Sequence, residues 1–219
     1  MLDAGCGTGA NLRFLADRLN PSYLGGFDAS ETALALAREK VPEAELWISD
    51  ICDPQLPEEP LDLVLSLDVV CITGIERAFA GFVRVAQRLA PGGLLIVNLP
   101  AYAWLMSEHD HAVHTVERTT VPRVRELIDR LGLVPARLSY RLAAHLPFLA
   151  LARLPGVLRA RRRAAPPRSG LHREPGALES ALLLAPLQME NALVARGVRM
   201  PWGSSVFAVA RRPPIQGSC

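Results

Sequence analysis

Apolar positions along the first hundred residues alternate between two periods. Short continuous apolar runs stand between stretches in which apolar residues recur every three or four positions. Met1 to Ala4 is the first run, and Asn11 to Leu19 follows with Leu12, Leu15, Ala16 and Leu19 on one helical stripe. Tyr23 to Phe27 reads as the second strand. Ser30 caps a helix containing Leu34, Ala35 and Ala37, and Ala44 to Ile48 is the third strand. Leu61 to Leu67 and Leu94 to Leu99 read as nearly continuous apolar runs, broken only by Asp62, Ser66 and Asn98, as parallel strands covered on both faces should be. Between them lie a helix over Ile75 to Leu89 and a tight turn at Ala90-Pro91-Gly92-Gly93. Val121 to Leu131 carries Val124, Leu127, Ile128 and Leu131 on one stripe, with Thr120 and Pro122 suited to its start and Gly132 to its end.

Repeated strand–helix alternation at this spacing predicts a doubly wound α/β sheet. Leu133 to Arg141 supplies strand six and Ser204 to Ala210 a last strand. The sixty or so residues between them are too long and too apolar for an ordinary loop. Leu142 to Leu158 reads as helical with scattered basic residues, Arg159 to Pro167 as a basic linker, and Gly176 to Ala195 as another helix. The expectation is one domain over residues 1–219, with a helical insertion over about 142–200.

At 219 residues such a domain has ample apolar material for a core. The formal charge of +2 hides an acidic first third and a basic remainder: residues 1–62 hold twelve acidic and four basic side chains. The arginines are not interleaved with aromatics for base stacking, so nucleic acid is excluded as a partner. Cys6, Cys52, Cys71 and Cys219 show neither metal-ligand nor paired spacing, which points to a reducing, cytoplasmic setting. No signal peptide and no bilayer-spanning run is expected.

The chemistry concentrates in Asp3-Ala4-Gly5-Cys6-Gly7-Thr8-Gly9. A strand turning through three glycines into a helix brings backbone N–H groups against a polar ligand. Asp28, ending the second strand, is a carboxylate suited to the two hydroxyls of a ribose, so an adenosine-bearing cofactor is expected. A dinucleotide fingerprint wants G-x-G-x-x-G, and Ala10 stands where its third glycine or alanine falls. The Gly-x-Gly-x-Gly form led by Asp3 instead resembles motif I of the class I S-adenosylmethionine-dependent methyltransferases.

That resemblance implies a Rossmann-like, mostly parallel sheet in the order 3-2-1-4-5-7-6, strand seven antiparallel, with the helical insertion before it. It also implies the roles of particular residues. Asp3, Gly5, Cys6, Gly7 and Gly9 would surround the methionine part of S-adenosylmethionine. Asp28 would take the ribose hydroxyls with Ala29 and Ser30 beside it, Asp50 the adenine amino group, and Ile51 the ring face. Ser66, Leu67 and Asp68 would end strand four beneath the transferable methyl. Methyltransferases of this class usually carry helices upstream of the first strand, so a strand begun at Met1 implies a truncated frame or a lid supplied from elsewhere.

Candidate bases gather after strand five, in the segment Trp104 to His114. His109 or His111, oriented by Asp110, would serve an acceptor hydroxyl. His114 lies nearby, but the histidine spacing matches no zinc pattern and no metal is expected. Pro100-Ala101-Tyr102, Trp104, Ser107-Glu108-His109-Asp110, Arg118 and Thr120 resemble a bacterial small-molecule group whose phrase includes paired arginines and a tyrosine. Here Glu117 and Thr119 replace one arginine and the tyrosine. Pro166-Pro167 and Pro201-Trp202-Gly203-Ser204-Ser205 extend the likeness to the last strand. The insertion reads as a helical cap on the sheet; its second reading is an amphipathic element on an anionic membrane surface receiving a lipid-like acceptor. The expected activity is methyl transfer to a small or lipid-like molecule, with oxygen preferred. A cyclase or rearrangement enzyme on the same fold and a non-catalytic partner protein are the rivals.

Overall fold

β1 (Leu2–Ala4) is the centre of the sheet, all three residues buried, because it is paired on both edges. In the computed structural model, which describes residues 1–147, 149–150 and 177–214, it lies between β2 (Gly25–Asp28) and β4 (Leu61–Leu67). Leu2 stands beside Gly25 on one side and Val64 on the other, both in parallel register. β3 (Glu45–Ile48) is the far parallel edge. β5 (Leu89–Pro100) continues on the other side of β4, followed by β7 (Ser205–Arg211) and then β6 (Val134–Arg141), both in antiparallel ladders. The order is β3-β2-β1-β4-β5-β7-β6, as the sequence led us to expect.

Helices cover both faces. α1 (Ala10–Leu19) and α2 (Glu31–Lys40) bury Leu12, Leu15, Leu34 and Ala37, and Leu65 of β4 packs into the same cluster as their leucines. α4 (Ile75–Arg88) and α6 (Val121–Arg130) lie in the other cluster, where Phe82, Val85, Leu127 and Ile128 meet Val64, Leu95 and Ala208. Each such fully buried Leu, Val or Phe contributes about 1.5–3 kcal/mol by leaving water. Two period-2 strand faces and two period-3.6 helix stripes thus have matching partners.

The strand after Ile75–Arg88 starts earlier than the sequence implies. β5 begins at Leu89, and the expected Ala90–Gly93 turn is a bulge inside it: Leu61 pairs with Leu89, whereas Leu63 already pairs with Leu94. The bulge is held from the far side, by Gly92 N–H on the Arg212 carbonyl and Arg212 N–H on the Gly93 carbonyl. Three short elements escape the hydrophobic pattern: α3 (Val70–Thr73), a 3-10 turn (Ala103–Leu105) and α5 (Glu108–Ala112). Each is too short to display a period.

The helix expected over Gly176–Ala195 is α7 (Ala177–Ala195), inserted between β6 and β7. Its Glu190, buried, accepts the Leu142 and Ala143 N–H groups at 2.7 Å each and pairs with Arg141 at 3.2 Å. The insertion is thereby tied to the end of β6. Most of the helix expected over Leu142–Leu158, and the Arg159–Pro167 linker, lie outside the described residues.

Candidate functional site

The turn from β1 into α1 is folded onto β2. Gly5 and Cys6 both donate their N–H groups to the Phe27 carbonyl, at 2.8 and 2.9 Å, and Gly9 caps α1. Gly5 is left-handed, φ 86°, and a Cβ there would fall 2.3 Å from the Val69 side chain, so only glycine lets Val69 close over the turn. Asp28 completes the arrangement. One carboxylate oxygen accepts from Gly7 N–H and the other from Ser30 N–H, each at 2.9 Å. One side chain thus sets the spacing between the glycine turn and the start of α2.

A crevice of about 330 Å³ opens at this C-terminal edge, within the range of about 300–1,000 Å³ usual for small-molecule sites. Of the residues singled out from sequence, Gly5, Gly7, Asp28, Ala29, Asp50, Ile51, Leu67 and Asp68 line it. Asp50 holds its own turn, accepting from Cys52 N–H at 2.8 Å. Ile51 is fixed by α4: a Cβ on Gly81 would fall 1.8 Å from the Ile51 carbonyl, so the helix backbone lies directly against that loop.

Asp3, Cys6, Gly9, Ser30 and Ser66 stand behind this lining. The Cys6 side chain packs in the α1/α2 cluster, and burial, with Asp3 and Asp28 adding, pushes its thiol up to about 12. It is an inert core residue. Asp3 is fully buried, and neither oxygen makes a hydrogen bond of normal geometry among the described residues. Burial raises its carboxyl to about 7; the nearby Asn11 side chain opposes the rise and the Asp28 charge adds to it. The Ser66 hydroxyl is likewise buried without a partner among the described residues. Orphaned polar atoms behind a largely apolar crevice, a left-handed glycine turn and a clamped carboxylate fit a ligand with an adenosine end and a cationic amino-acid end.

The crevice wall also contains Phe27, Ser49, Val69, Ile72 and Thr73, which the sequence reading passed over. Val69 to Thr73 was legible only as an apolar run just past strand four, at the edge where open sheets bind ligands.

Beyond β5 the chain folds over residues 101–119. Ala101 bridges Thr119, and Asp110, 3% exposed, sits at the centre. Its carboxylate accepts from Ser107 N–H and hydroxyl on one oxygen, at 2.9 and 2.6 Å, and from the Arg118 guanidinium on the other. Arg118 also donates to the Ala101 carbonyl at 2.6 Å. Asp110 therefore organises this loop through Arg118 and Ser107, while His109, His111 and His114 are exposed on its outside. Glu117 accepts from Ile75 N–H at 2.8 Å and so caps α4. Among the described residues, no group of three His, Cys, Asp or Glu is arranged to hold a metal.

A family model described as a methyltransferase domain matches residues 1–93. The trans-aconitate 2-methyltransferase of Delftia acidovorans is 29% identical over 153 residues, 66% of this chain and 54% of that protein. The dTDP-4-amino-2,3,4,6-tetradeoxy-D-glucose N,N-dimethyltransferase of Saccharopolyspora spinosa is 34% identical over 104 residues, 45% of this chain and 39% of that protein. The chain thus spans about half, or less, of the length of these curated relatives. In structure it resembles the Haemonchus contortus phosphoethanolamine N-methyltransferase 2 in complex with S-adenosyl-L-methionine, with a TM-score of 0.60 at 17% identity over 97% of this chain and 48% of that one, a likeness of fold. Strand order, the glycine turn with its carboxylate-tipped crevice and these likenesses give the chain the fold of the class I S-adenosylmethionine-dependent methyltransferases, with residues 1–93 matching a methyltransferase domain.

Proposed function

We propose that residues 1–219 act as one unit that binds S-adenosylmethionine in the crevice and transfers its methyl group to a small-molecule or lipid-like acceptor, oxygen preferred. The observation that carries this reading is Asp28, whose carboxylate bridges Gly7 N–H and Ser30 N–H beside the crevice. Its free lone pairs would receive the ribose hydroxyls. Asp50 would take the adenine amino group and Ile51 the ring face, while Gly5, Gly7 and Asp3 would bound the methionine end. S-adenosylmethionine supplies a methyl on a positive sulfur, already a good leaving group. The protein's part is to align donor and acceptor and exclude water, an effect that can reach ~10^5 M or more in effective concentration.

The 101–119 loop would border the acceptor. His109 and His111 are its candidates for a base, and Asp110 would act by holding the loop through Arg118. Glu117, at the position where the resembled phrase has an arginine, accepts from Ile75 N–H at the start of α4; this supports an acceptor recognised without an arginine at that position. A small molecule also agrees with the acceptors named for the relatives, trans-aconitate and a dTDP amino sugar. No helix among the described residues is long and apolar enough to cross a membrane. A cytoplasmic location, with peripheral membrane contact through the insertion for a lipid-like acceptor, is our reading of where it works.

Calorimetric titration tests the cofactor. S-adenosylmethionine and S-adenosylhomocysteine should both bind and NAD should not. Asp28→Ala should weaken binding by about ten- to a hundredfold, the scale of hydrogen bonds to a charged group. Binding of neither ligand would leave the partner-protein reading. Release of S-adenosylhomocysteine with added acceptors separates methyl transfer from rearrangement, and unchanged turnover in His109→Ala and His111→Ala would remove both histidines as bases.

A further inference from the structure

Asp68 is the first residue beyond β4, and its backbone is left-handed at φ 58°. A non-glycine residue stays there when its surroundings hold it, and such residues gather at functional sites. Three contacts hold this one. Its N–H donates to the Asn98 carbonyl at 2.9 Å, and its own carbonyl accepts from the Cys71 thiol at 3.0 Å. Its carboxylate receives the Asn98 side-chain amide, at 2.9 Å on one oxygen and 3.1 Å on the other. Asn98 sits opposite Leu67 in the β4–β5 register, so one residue of the neighbouring strand fixes both the backbone and the side chain of Asp68. Asp68 lines the same crevice as Gly5, Gly7 and Asp28.

We propose that Asp68 is a catalytic residue, its carboxylate oriented by Asn98 to meet an acceptor whose reacting atom carries a proton, as a hydroxyl or an amine does. The inference rests on the methyl-transfer reading above and deepens it by naming the acceptor class. The acceptor heteroatom forms its bond to the methyl carbon as the carbon–sulfur bond breaks, and that bond's electron pair stays on sulfur. The heteroatom's proton passes to the Asp68 carboxylate, which lines the crevice, in place of the exposed His109 or His111, which do not, and its bonding pair stays on the heteroatom. The surroundings suit that task. Desolvation raises the Asp68 carboxyl above the ordinary carboxylate range, while Asn98 and the Arg118 charge moderate the rise; the Cys71 thiol faces the same residue, itself pushed up to about 11, mainly by burial, and so neutral. An acceptor that offers only an ionised carboxylate has no proton to give and meets like charge at Asp68.

Sinefungin tests this without a known acceptor. It carries an amine where S-adenosylmethionine carries its methyl, and S-adenosylhomocysteine carries nothing there. Calorimetry on the full chain should find both ligands bound by the wild type. Asp68→Asn, which tolerates the left-handed backbone, should weaken sinefungin about tenfold or more, and S-adenosylhomocysteine by less than about threefold. Asn98→Ala, which frees the carboxylate without removing it, should show a smaller loss in the same direction. Circular dichroism establishes that each variant is folded. Equal effects of Asp68→Asn on the two ligands would overturn the proposal and leave the cofactor reading intact. Failure of the wild type to bind either ligand would overturn both. In turnover, methylation of trans-aconitate at equal rates by wild type and Asp68→Asn would also overturn it, because that acceptor presents ionised carboxylates at neutral pH.

Discussion

Asp110 and Arg118 form a buried ion pair, their side chains 5% and 6% exposed, with two guanidinium nitrogens on one carboxylate oxygen at 3.0 and 2.8 Å. The other oxygen is taken by Ser107, and the guanidinium's remaining arm reaches the Ala101 carbonyl. The pair closes residues 101–119 into a loop beside the crevice. A buried pair of this kind is weak evidence of net stability, but breaking it strands a charge.

Asp110→Ala should therefore destabilise the fold by about 3–5 kcal/mol, read from denaturant midpoints. The double variant Asp110→Ala/Arg118→Met should recover part of that loss, since it leaves no unpaired charge behind. A double variant as unstable as the sum of the single variants would show that the two side chains act independently.

Glu117 ties the same loop to α4 through Ile75 N–H. Glu117→Ala should cost about 0.5–2 kcal/mol, the scale of a lost helix cap, and Glu117→Gln less, because its amide oxygen still accepts. Equal stability of all three proteins in urea would sink the capping role.

Asp3 predicts a pH dependence of definite sign. Its carboxyl is raised from 3.8 to about 7 by burial, so between those values the folded state holds a proton that the unfolded chain has lost. Stability from this group is full below about pH 4 and is lost as the pH rises towards 7. Asp3→Asn should flatten that fall, so its stability relative to wild type should improve from pH 4 to pH 8 in urea melts. A constant difference across that range would mean that Asp3 is ionised in the fold.

Gly81→Ala offers a test by direction. In an exposed helix interior this change stabilises by about 1 kcal/mol. Here the new methyl would lie 1.8 Å from the Ile51 carbonyl, so α4 or the Ile51 loop must move and the variant should be less stable. S-adenosylhomocysteine affinity, followed in the same protein, should fall with it, because Ile51 lines the crevice. A rise in melting temperature would contradict the close packing.

The amino-acid order by itself determined the alternation of strands and helices, because continuous apolar runs and stripes of period 3.6 each need covered faces; the order of strands in the sheet came with the resemblance that the glycine turn carries. It also marked Asp3, Gly5, Gly7, Asp28 and Asp50, since a glycine turn and carboxylates at strand ends are local signals. Only the tertiary structure decided that Val69 and Ile72 wall the crevice, that Asp110 answers to Arg118, that Glu117 caps α4 and that Asn98 aims Asp68. These partners are set by strand pairing and by loops crossing between elements, some of them 30 or more residues apart in the chain. A local pattern records which residues can donate or accept; packing chooses the partner that leaves the fewest buried polar groups unsatisfied.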